Sequence, residues 1–461
     1  MKTGSSINRR DALKGLSAVT LATMLGHQEL KADDVIISEP EILPPFPDTG
    51  KPVTCIVLGA GSRGNTYAAY SLQYPERMKI VGVAEPIETR RRTFAQKYNI
   101  DPNHVYTTWE HATGAQKFAD AIIISTPDQL HHGPAMEGIA KGYDILLEKP
   151  ISTTWRECRE IRDLNRRHNR IIAVCHVLRY TPFYLKMKQI VDSGVLGELV
   201  TMEHLEPVGY WHQAHSFVRG NWRNVETSCP MILAKSCHDM DIIRWLVDQP
   251  CKTVSSFGSL KHFKSENAPA GSTDRCVDCP VEADCPYSAK KLYLNMKNHG
   301  WPVSVITEDT SYEGRMKALR EGPYGRCVYR CDNNVVDHQV VGMEFGKDIT
   351  ASFTMSAFTI GSRRTRIMGT MGELTGDSRT INLVNFRNEK KETIDTQAAA
   401  MEITSGHGGG DYGLLYAFLV AVQTQDRSMI RSSLEVSVES HLMAFEAERS
   451  RLENRTVTLA G

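Results

Sequence analysis

The chain has 461 residues and is electrically balanced, with 54 Lys and Arg side chains against 54 Asp and Glu. That balance gives no net charge with which to attract nucleic acid or an anionic membrane. No apolar stretch reaches the roughly 20 residues that span a bilayer. The length is enough for two or three domains with hydrophobic cores of their own, as expected of a soluble enzyme.

Residues 1–32 predict a secretory signal of the twin-arginine type. Arg9 and Arg10 precede a mildly apolar segment from Leu16 to Leu25, and a basic region before a short apolar stretch is typical of export. The alternative is an amphipathic tail that stays on the protein, since no clean Ala-x-Ala cleavage site follows. Residues 33–50 are rich in proline and predict an extended linker. Export predicts a periplasmic protein, whereas without the signal the chain would be cytoplasmic.

The first strand predicted after the linker runs directly into a glycine-rich turn. Apolar residues 53–58 are followed by the predicted pyrophosphate contacts, which are Gly59, Gly61, Ser62, Arg63 and Gly64. Glycines allow a tight turn and a close backbone approach, and the helix that follows aims its positive end at a phosphate. The next strand, 78–84, ends in Glu85, placed to bind the adenosine ribose hydroxyls. The pattern predicts a dinucleotide-binding Rossmann domain over residues 51–178.

Two later strands of this domain end in further candidate cofactor contacts. Strand 119–124 ends in Ser125-Thr126-Pro127 with His131 close behind, and strand 143–147 ends in Glu148-Lys149-Pro150. Ligands of parallel α/β folds lie beyond the carboxyl ends of the strands. The predicted contacts at this rim are Ser125, Thr126, Pro127, His131, Glu148 and Lys149. Glu85 favours NAD, because a carboxylate repels a 2′-phosphate, while Arg90, Arg91 and Arg92 leave NADP open.

These motifs, in this order, resemble the Gfo/Idh/MocA family of oxidoreductases, which includes glucose–fructose oxidoreductase and inositol dehydrogenase. The resemblance rests on the glycine-rich turn, the acid after the second strand, Thr-Pro-Asp-x-x-His at 126–131 and Glu-Lys-Pro at 148–150, and extends to the C-terminus. It implies a nicotinamide cofactor that Lys149 contacts together with the substrate. It also implies an α+β substrate domain, residues 179–461, with an open and mainly antiparallel sheet. The exposed face of such a sheet implies a homo-oligomer, a dimer or tetramer.

The second domain contains a predicted helix with polar side chains spaced by three. Lys235, His238 and Asp241 fall on one sector of it, and the resemblance implies a histidine here beside the substrate carbinol, followed by an aspartate. The family's acid four residues before that histidine is replaced by Ala234. Neutral His238, with an unperturbed pKa of ~6.5, is the predicted base for the hydroxyl proton, and Lys149 and Lys235 would contact substrate oxygens. Asp241 is a further catalytic candidate. The alternatives are Lys235 as the base, a core position for His238 and a structural role for Asp241.

Other polar residues are candidates for substrate contact. Arg179 and Tyr180 follow the strand 171–177, where the family often places substrate-facing side chains. The segment 210–223 is dense in aromatic, histidine and arginine side chains, and the segment 405–412 is a glycine-rich turn with a histidine and an aspartate. The predicted substrate contacts are Arg179, Tyr180, Trp222, Arg223, His407 and Asp411.

A cysteine-rich loop at 276–285 interrupts the second domain. Cys276, Cys279 and Cys285 have the spacing of a metal knuckle, and Cys327 or Cys331 could supply a fourth ligand. This spacing predicts a structural zinc or iron–sulfur site, with disulfides or unligated thiols as alternatives.

The predicted function is hydride transfer between a nicotinamide cofactor and a sugar, inositol or derivative. If the chain is exported, it meets no nicotinamide pool, so the cofactor would be held tightly and recycled within each catalytic cycle. The alternative is a redox-cycling glycosidase, which oxidises a glycoside, eliminates its aglycone, adds water and returns the hydride. The family's NAD-dependent glycosidases resemble this chain in their signals and glycine-rich loop, but they lack the Glu-Lys-Pro motif. A non-catalytic sugar- or cofactor-binding protein is a further alternative, which the set Lys149, Lys235 and His238 opposes.

Overall fold

The structure, a computed structural model, describes residues 45–47, 49–397 and 407–459. The predicted signal, and all of the predicted linker except residues 45–47 and 49–50, lie outside these ranges. Near the start of the described chain, Phe46 packs edge-on against Tyr416, with ring centroids 5.6 Å apart. None of the helices in the described ranges is long and apolar enough to cross a membrane.

The first domain is built on a parallel sheet. Its strands are β1 (Val53–Leu58), β2 (Met78–Ala84), β3 (Val105–Tyr106), β4 (Ala121–Ile124), β5 (Asp144–Leu147) and β6 (Ile172–Val174). Within the described residues the strand order is β3-β2-β1-β4-β5-β6, with every pairing parallel. The order reverses between β1 and β4, and this switch point is where dinucleotides bind in doubly wound sheets. The predicted Rossmann fold is confirmed.

Helices cover both faces of this sheet. They are α1 (Ser62–Gln73), α2 (Glu88–Lys97), α3 (Trp109–Gly114), α4 (His132–Ala140) and α5 (Trp155–His168). The central strands are almost wholly buried, which is why they read as continuous apolar runs in the sequence. Helix α5 begins at Thr154, whose hydroxyl accepts from the Glu157 N–H, and ends at Asn169 in the left-handed conformation.

The second domain is built on a mixed, mostly antiparallel sheet. Its strands are β7 (Leu199–Pro207), β8 (Cys251–Ser259), β9 (His338–Phe345), β10 (Thr350–Ser356), β11 (Arg364–Gly369), β12 (Gly372–Gly376), β13 (Thr380–Asn385), β14 (Lys391–Asp395) and β15 (Val457–Thr458). In the described part of the chain they follow the order β14-β13-β12-β11-β7-β10-β9-β8-β15, and β7 and β10 pair in parallel. Alternate residues of β9 are buried and exposed, so one face is packed and the other is open. This agrees with the predicted open sheet.

The helices that follow β6 pack against different parts of the molecule: some contact this sheet, some lie in the insertion between β8 and β9, and one returns to the first domain. They are α6 (Pro182–Asp192), α7 (Tyr210–His212), a π-helix (Gln213–Arg219), α8 (Met231–Ala234), α9 (Cys237–Val247), α10 (Ala289–Tyr293), α11 (Val303–Ile306), α12 (Tyr312–Glu321), α13 (Gly410–Thr424) and α14 (Leu434–Glu453). Helix α14 packs on α9 and β8. The apolar residues of α13 belong to the same core as β1 and β4, so the end of the chain stabilises the cofactor domain.

Residues 260–337, between β8 and β9, form an insertion of short helices and loops. It has a small core of its own that includes Cys276, Tyr293 and Leu319. Arg315 is fully buried in it, and its guanidinium donates to the carbonyls of Tyr293, Asn295, Asn298 and Thr310. One arginine therefore fixes the path of the loop from 293 to 310.

Candidate active site

The glycine-rich turn closes tightly against the end of β4. Gly59 has φ +93°, and a Cβ added there would lie 2.5 Å from the Ser125 carbonyl oxygen. The Ser125 hydroxyl donates to the carbonyl oxygens of Leu58 and Gly59 at 3.1 and 2.8 Å. Helix α1 starts at Gly61 without a side-chain cap, so its first N–H groups face outward as in anion-binding helix ends.

Glu85 closes the other side of this turn. Its carboxylate accepts from the Ala60 N–H at 2.8 Å and the Ile87 N–H at 3.0 Å. Of the arginines that left NADP open, Arg90 pairs with Glu308 at 2.8 Å and Arg91 donates to the Glu85 carbonyl at 2.7 Å. Both guanidinium groups therefore bond to protein oxygens. The Glu85 carboxylate at the end of β2 would repel a 2′-phosphate, so the arrangement favours NAD.

His131 joins the ends of β4 and β5. It is buried, and its two ring nitrogens lie 2.6 Å from the Pro150 carbonyl oxygen and 3.0 Å from the Thr126 carbonyl oxygen. The Thr126 hydroxyl is itself bonded to the Leu130 carbonyl at 3.0 Å. These contacts brace the strand ends that flank the cofactor crevice, and Pro127 lies between them.

Arg63 connects three of the predicted site residues. Its guanidinium pairs with Glu148 at 2.5 Å and with Asp411 at 2.6 Å, and Asp411 lies 3.1 Å from the Nδ1 of His407. Burial alone would raise the pKa of Glu148, but the Arg63 charge holds it below its ordinary value. Burial likewise opposes ionisation of Asp411, yet His407 and Arg63 lower its pKa to about 2. Both carboxylates are therefore ionised at neutral pH.

Lys149 reaches from the first domain to the second. Its Nζ donates to the Ala234 carbonyl at 2.7 Å, and its backbone N–H donates to the Glu148 carboxylate at 3.0 Å. The peptide bond to Pro150 is cis. The ammonium group therefore lies at the start of the segment that carries Lys235 and His238.

His238 is buried next to this ammonium. Its Nδ1 has no hydrogen-bond partner among the described residues, and its ring lies 5.8 Å from that of His176 and 6.3 Å from that of His407. Burial, followed by the positive charge of Lys149, holds the pKa of His238 well below its usual value. The imidazole is therefore neutral and has one nitrogen able to accept a proton.

Lys235 belongs to a charged network that sequence reasoning missed. Its Nζ lies 3.3 Å from the carboxylate of Glu206, which also pairs with Arg363 at 2.5 Å. Arg363 contacts Asp239 at 2.6 Å, and Asp239 lies 3.0 Å from His204. Burial lowers the pKa of Lys235, and Glu206 partly opposes that shift. The sequence did offer one signal for this network: His204 and Glu206 are two residues apart near the end of β7, so their side chains lie on the same face of the strand. No local pattern indicated Arg363.

Arg179, Tyr180 and Asp241 form buried supports behind the site. Arg179 is fully buried and binds Asp241 with two hydrogen bonds of 2.7 and 2.8 Å. Asp241 also lies 3.8 Å from His176, and the Tyr180 hydroxyl accepts from the backbone N–H groups of Arg431 and Ser432. Asp241 is thus engaged in a buried ion pair, which agrees with a structural role, while its catalytic role stays a prediction.

Trp222 and Arg223 lie at contacts between segments. The indole N–H of Trp222 donates to Asp128 at 2.7 Å and so connects the second domain to the end of β4. Arg223 pairs with Asp332 of the insertion at 2.8 and 3.1 Å. Both side chains hold the walls of the site together through these bonds.

The predicted metal site is not supported. Cys276, Cys279, Cys285 and Cys327 do line one cavity. However, the described residues contain no group of three or more His, Cys, Asp or Glu side chains arranged to hold a metal ion, and all these thiols are free. The buried guanidinium of Arg219 shares the cavity and lies 3.4 Å from the Cys276 sulfur. Its positive charge opposes a cation there, and burial raises the pKa of Cys285, which favours the neutral thiol.

Comparison with known proteins agrees with this architecture. Residues 53–176 match the model of the oxidoreductase family, NAD-binding Rossmann fold, and residues 188–459 match that of the oxidoreductase family, C-terminal alpha/beta domain. YteT of Bacillus subtilis (strain 168), named as an oxidoreductase, is 24% identical over 358 residues, 73% of this chain and 81% of that protein. The scyllo-inositol 2-dehydrogenase (NAD(+)) of the same strain is 25% identical over 213 residues, 45% of this chain and 58% of its own length.

Among solved structures, an inositol dehydrogenase homolog from Azotobacter vinelandii complexed with NAD+ superimposes with a TM-score of 0.65. The two are 14% identical, and the match covers 91% of this chain and all of the other. At that identity the likeness concerns the fold. The family matches span both domains and nearly all of the described chain. The chain therefore belongs to the Gfo/Idh/MocA family of NAD-dependent oxidoreductases.

Proposed function

We propose that the protein transfers hydride between a nicotinamide cofactor, NAD, and a secondary hydroxyl of a sugar, inositol or related polyol. The observation that carries this proposal is the meeting of Lys149, Lys235 and His238 beyond the ends of β4 and β5. The bond from Lys149 to the Ala234 carbonyl, 2.7 Å long, holds the two domains together at this point. A dinucleotide in the crevice would lie against the same strand ends.

The residues of the crevice fit a dinucleotide. The turn at 59–64 offers glycines at its closest approach and the uncapped start of α1 for a pyrophosphate, and Glu85 offers a carboxylate for ribose hydroxyls. Bound NAD would supply the acceptor for the hydride that leaves the carbinol carbon.

His238 takes the hydroxyl proton in this proposal. Its neutral ring can accept hydrogen bonding from the substrate hydroxyl, and proton transfer to it lets the carbinol become a carbonyl. Lys149 and Lys235 hold the substrate oxygens and stabilise the negative charge that develops on them. Glu206 stands beside Lys235 at 3.3 Å and offers the carboxylate that the sequence lacks at Ala234.

A pH profile separates the histidine base from the lysine alternative. Because the pKa of His238 is well below its ordinary ~6.5, kcat/KM should stay level from about pH 8 to pH 6. If Lys235 is the base, burial lowers its pKa from the ordinary value, and kcat/KM would instead rise with pH as its ammonium group loses a proton.

The function itself is tested with purified protein and a panel of inositols, aldoses and p-nitrophenyl glycosides. The NADH absorbance band is followed with and without added NAD. Reduction of added NAD by a sugar or inositol, lost in Lys149→Ala, would support the proposal. Binding of NAD and sugar without any turnover would overturn it and favour the binding-protein alternative.

The redox-cycling glycosidase is the second candidate, and the His407–Asp411 pair favours it. Elimination after oxidation needs a second group that removes a proton from the carbon beside the new carbonyl. His407, oriented by Asp411 at 3.1 Å, lies 6.3 Å from His238 by ring centroids. Release of nitrophenol over many turnovers by protein carrying its own cofactor, without added NAD, would establish this activity.

Export, tight cofactor retention and oligomerisation belong to the same proposal. The segment with Arg9 and Arg10 supports export by the twin-arginine route. The open face of the second sheet supports a dimer or tetramer, since Phe257 pairs across strands with Val340 while the two are 66% and 44% exposed. Cleavage of the signal on export and the mass of the mature protein in solution are the measurements that decide these points.

A further inference from the structure

An aromatic cluster, made of Trp211, His212 and Trp301, adjoins the proposed site. Trp211 and His212 lie in the short helix α7 that leads into the π-helix, and Trp301 comes from the insertion. The Trp301 ring centroid lies 5.3 Å from that of Trp211 and 5.0 Å from that of His212. The aromatic cluster is thus formed by two segments that are far apart in sequence. The π-helix that follows α7 is a second indication, because π-helical turns are frequent at functional sites.

The inner end of the cluster lies next to the segment that pairs with Lys235, because α7 begins three residues after β7, and Glu206 of β7 lies 3.3 Å from the Lys235 Nζ. Burial, then the charge of Lys235, and further the charge of Lys149 lower the pKa of His212 to about 3. The ring is therefore neutral. Its centroid lies 5.9 Å from that of Phe217, which lies 6.1 Å from the ring of Trp222, the residue that donates to Asp128 at the rim of the site. At the outer end, Trp301 is 42% exposed and Tyr210 is 36% exposed. The cluster therefore forms a path from the segment that follows β7 to solvent.

The cluster is held in place by contacts on its far side. The loop that carries Trp301 follows the carbonyl groups fixed by Arg315. Trp301 also packs edge-on against His215, with centroids 5.3 Å apart, and His215 lies 2.8 Å from the Tyr293 hydroxyl. The aromatic faces are therefore positioned before any ligand arrives, which lowers the entropy cost of binding.

We propose that the Trp211–Trp301 cluster is a second-ring subsite, so that the substrate is a glycoside or disaccharide rather than a free monosaccharide. This inference rests on the proposed function, because it takes the ring at Lys149, Lys235 and His238 to be the one oxidised. A second ring linked to the first would extend along the path toward Trp301. Flat aromatic surface with few charges suits the C–H face of a pyranose or an aryl aglycone, and the neighbouring polar groups suit its hydroxyls.

The test compares one-ring and two-ring probes on the same variants. For a sugar that turns over, kcat and KM are measured for the free sugar, for its p-nitrophenyl glycoside and for a disaccharide that contains it. We expect Trp301→Ala to raise KM for both two-ring probes about tenfold, as loss of one aromatic contact implies, and to leave the free sugar unchanged. Trp301→Phe should retain most of the affinity.

Tyr312→Ala is the matched control, because Tyr312 is another exposed aromatic side chain of the insertion and should change neither class of probe. Thermal unfolding of each variant shows whether the insertion remains folded. The proposal is overturned if Trp301→Ala and Trp301→Phe affect one-ring and two-ring probes alike, or affect neither.

Quenching of tryptophan fluorescence by the same probes gives a binding readout that does not need turnover. If two-ring probes bind through Trp301 and no sugar reduces NAD, the subsite stands and the oxidoreductase proposal fails. If a free sugar reduces NAD and no probe depends on Trp301, the oxidoreductase proposal stands and the subsite proposal fails.

Discussion

Replacing Glu206 with glutamine should cost far more stability than an exposed carboxylate would. The substitution keeps the shape of the side chain and removes the charge that lies 3.3 Å from Lys235 and 2.5 Å from Arg363. All three groups are largely buried, so two cations would lose a shared counter-charge. Breaking a buried pair in this way costs about 3–5 kcal/mol. Arg363 keeps Asp239 at 2.6 Å, and we therefore expect about 3 kcal/mol, the lower end of that range.

The penalty should also depend on pH, with a sign that follows from Lys235. Burial already lowers the pKa of this lysine in the folded protein, and Glu206 is the largest influence that raises it. In Glu206→Gln the folded pKa falls further, so the unfolded chain binds more protons over a wider range below the unfolded value of ~10.4. Stability of the variant should therefore recover as pH rises toward that value, because the folded protein can release the lysine proton. The part of the stability loss that comes from Arg363 should not change with pH in this range, because its guanidinium stays charged.

The assay is urea unfolding at several pH values between about 7 and 10. Glu373→Gln is the control, because its carboxylate pairs with Arg366 on the solvent side of the same sheet at 2.6 Å and should cost at most about 1 kcal/mol. A Glu206→Gln penalty that equals the control and does not change with pH would refute the reasoning. It would mean that the network is solvated rather than buried.

Three further predictions concern the cofactor turn, the buried ion pair and the cysteines. Gly59→Ala should abolish NAD binding measured by calorimetry, because the added Cβ would lie 2.5 Å from the Ser125 carbonyl oxygen at a φ that disfavours alanine; retained affinity would show that the turn relaxes. Asp241→Asn should cost about 3–5 kcal/mol by urea unfolding, since it leaves the Arg179 guanidinium buried without a counter-charge; a loss of kcat at full stability would instead give Asp241 a catalytic role. Treatment with EDTA should leave the melting temperature unchanged, because the thiols beside Arg219 are free; a clear drop would restore the metal hypothesis.

The features that could be predicted from the sequence are those fixed by a local pattern. The buried strands of the first domain could be predicted because they are continuous apolar runs in the sequence. Gly59, Glu85 and Lys149 each follow the end of a strand, and this position predicts that they lie at the cofactor crevice. The rule that ligands lie beyond the strand ends needs no knowledge of distant contacts. The same reasoning predicted Lys235 and His238 on one helix, and this was wrong: α8 ends at Ala234 and α9 begins at Cys237, so Lys235 lies between two helices and only His238 is helical.

The remainder depends on contacts between residues far apart in sequence. Glu206 and Arg363 meet across the second sheet, and no spacing rule connects the end of β7 with the loop before β11. Arg179 was predicted to contact the substrate because it follows a strand, and no local spacing indicated its ion pair with Asp241, which lies 62 residues later on α9. The cysteine spacing suggested a metal because spacing ignores what else enters the cavity, and the guanidinium of Arg219 enters it.

The ion pairs of Arg63 connect the cofactor turn to the neighbours of Lys149 and of His407, the second base of the glycosidase alternative. Arg63 lies in the first turn of α1, where a pyrophosphate would approach, yet its guanidinium is committed to Glu148 and Asp411. Glu148 precedes Lys149 and bonds to its backbone N–H, while Asp411 orients His407. Charge-assisted bonds of this kind are short and directional, so a displacement of α1 would move both groups together. The contact of Arg63 with a pyrophosphate stays a prediction, and its ion pairs already connect α1 to the residue before Lys149 and to the partner of His407.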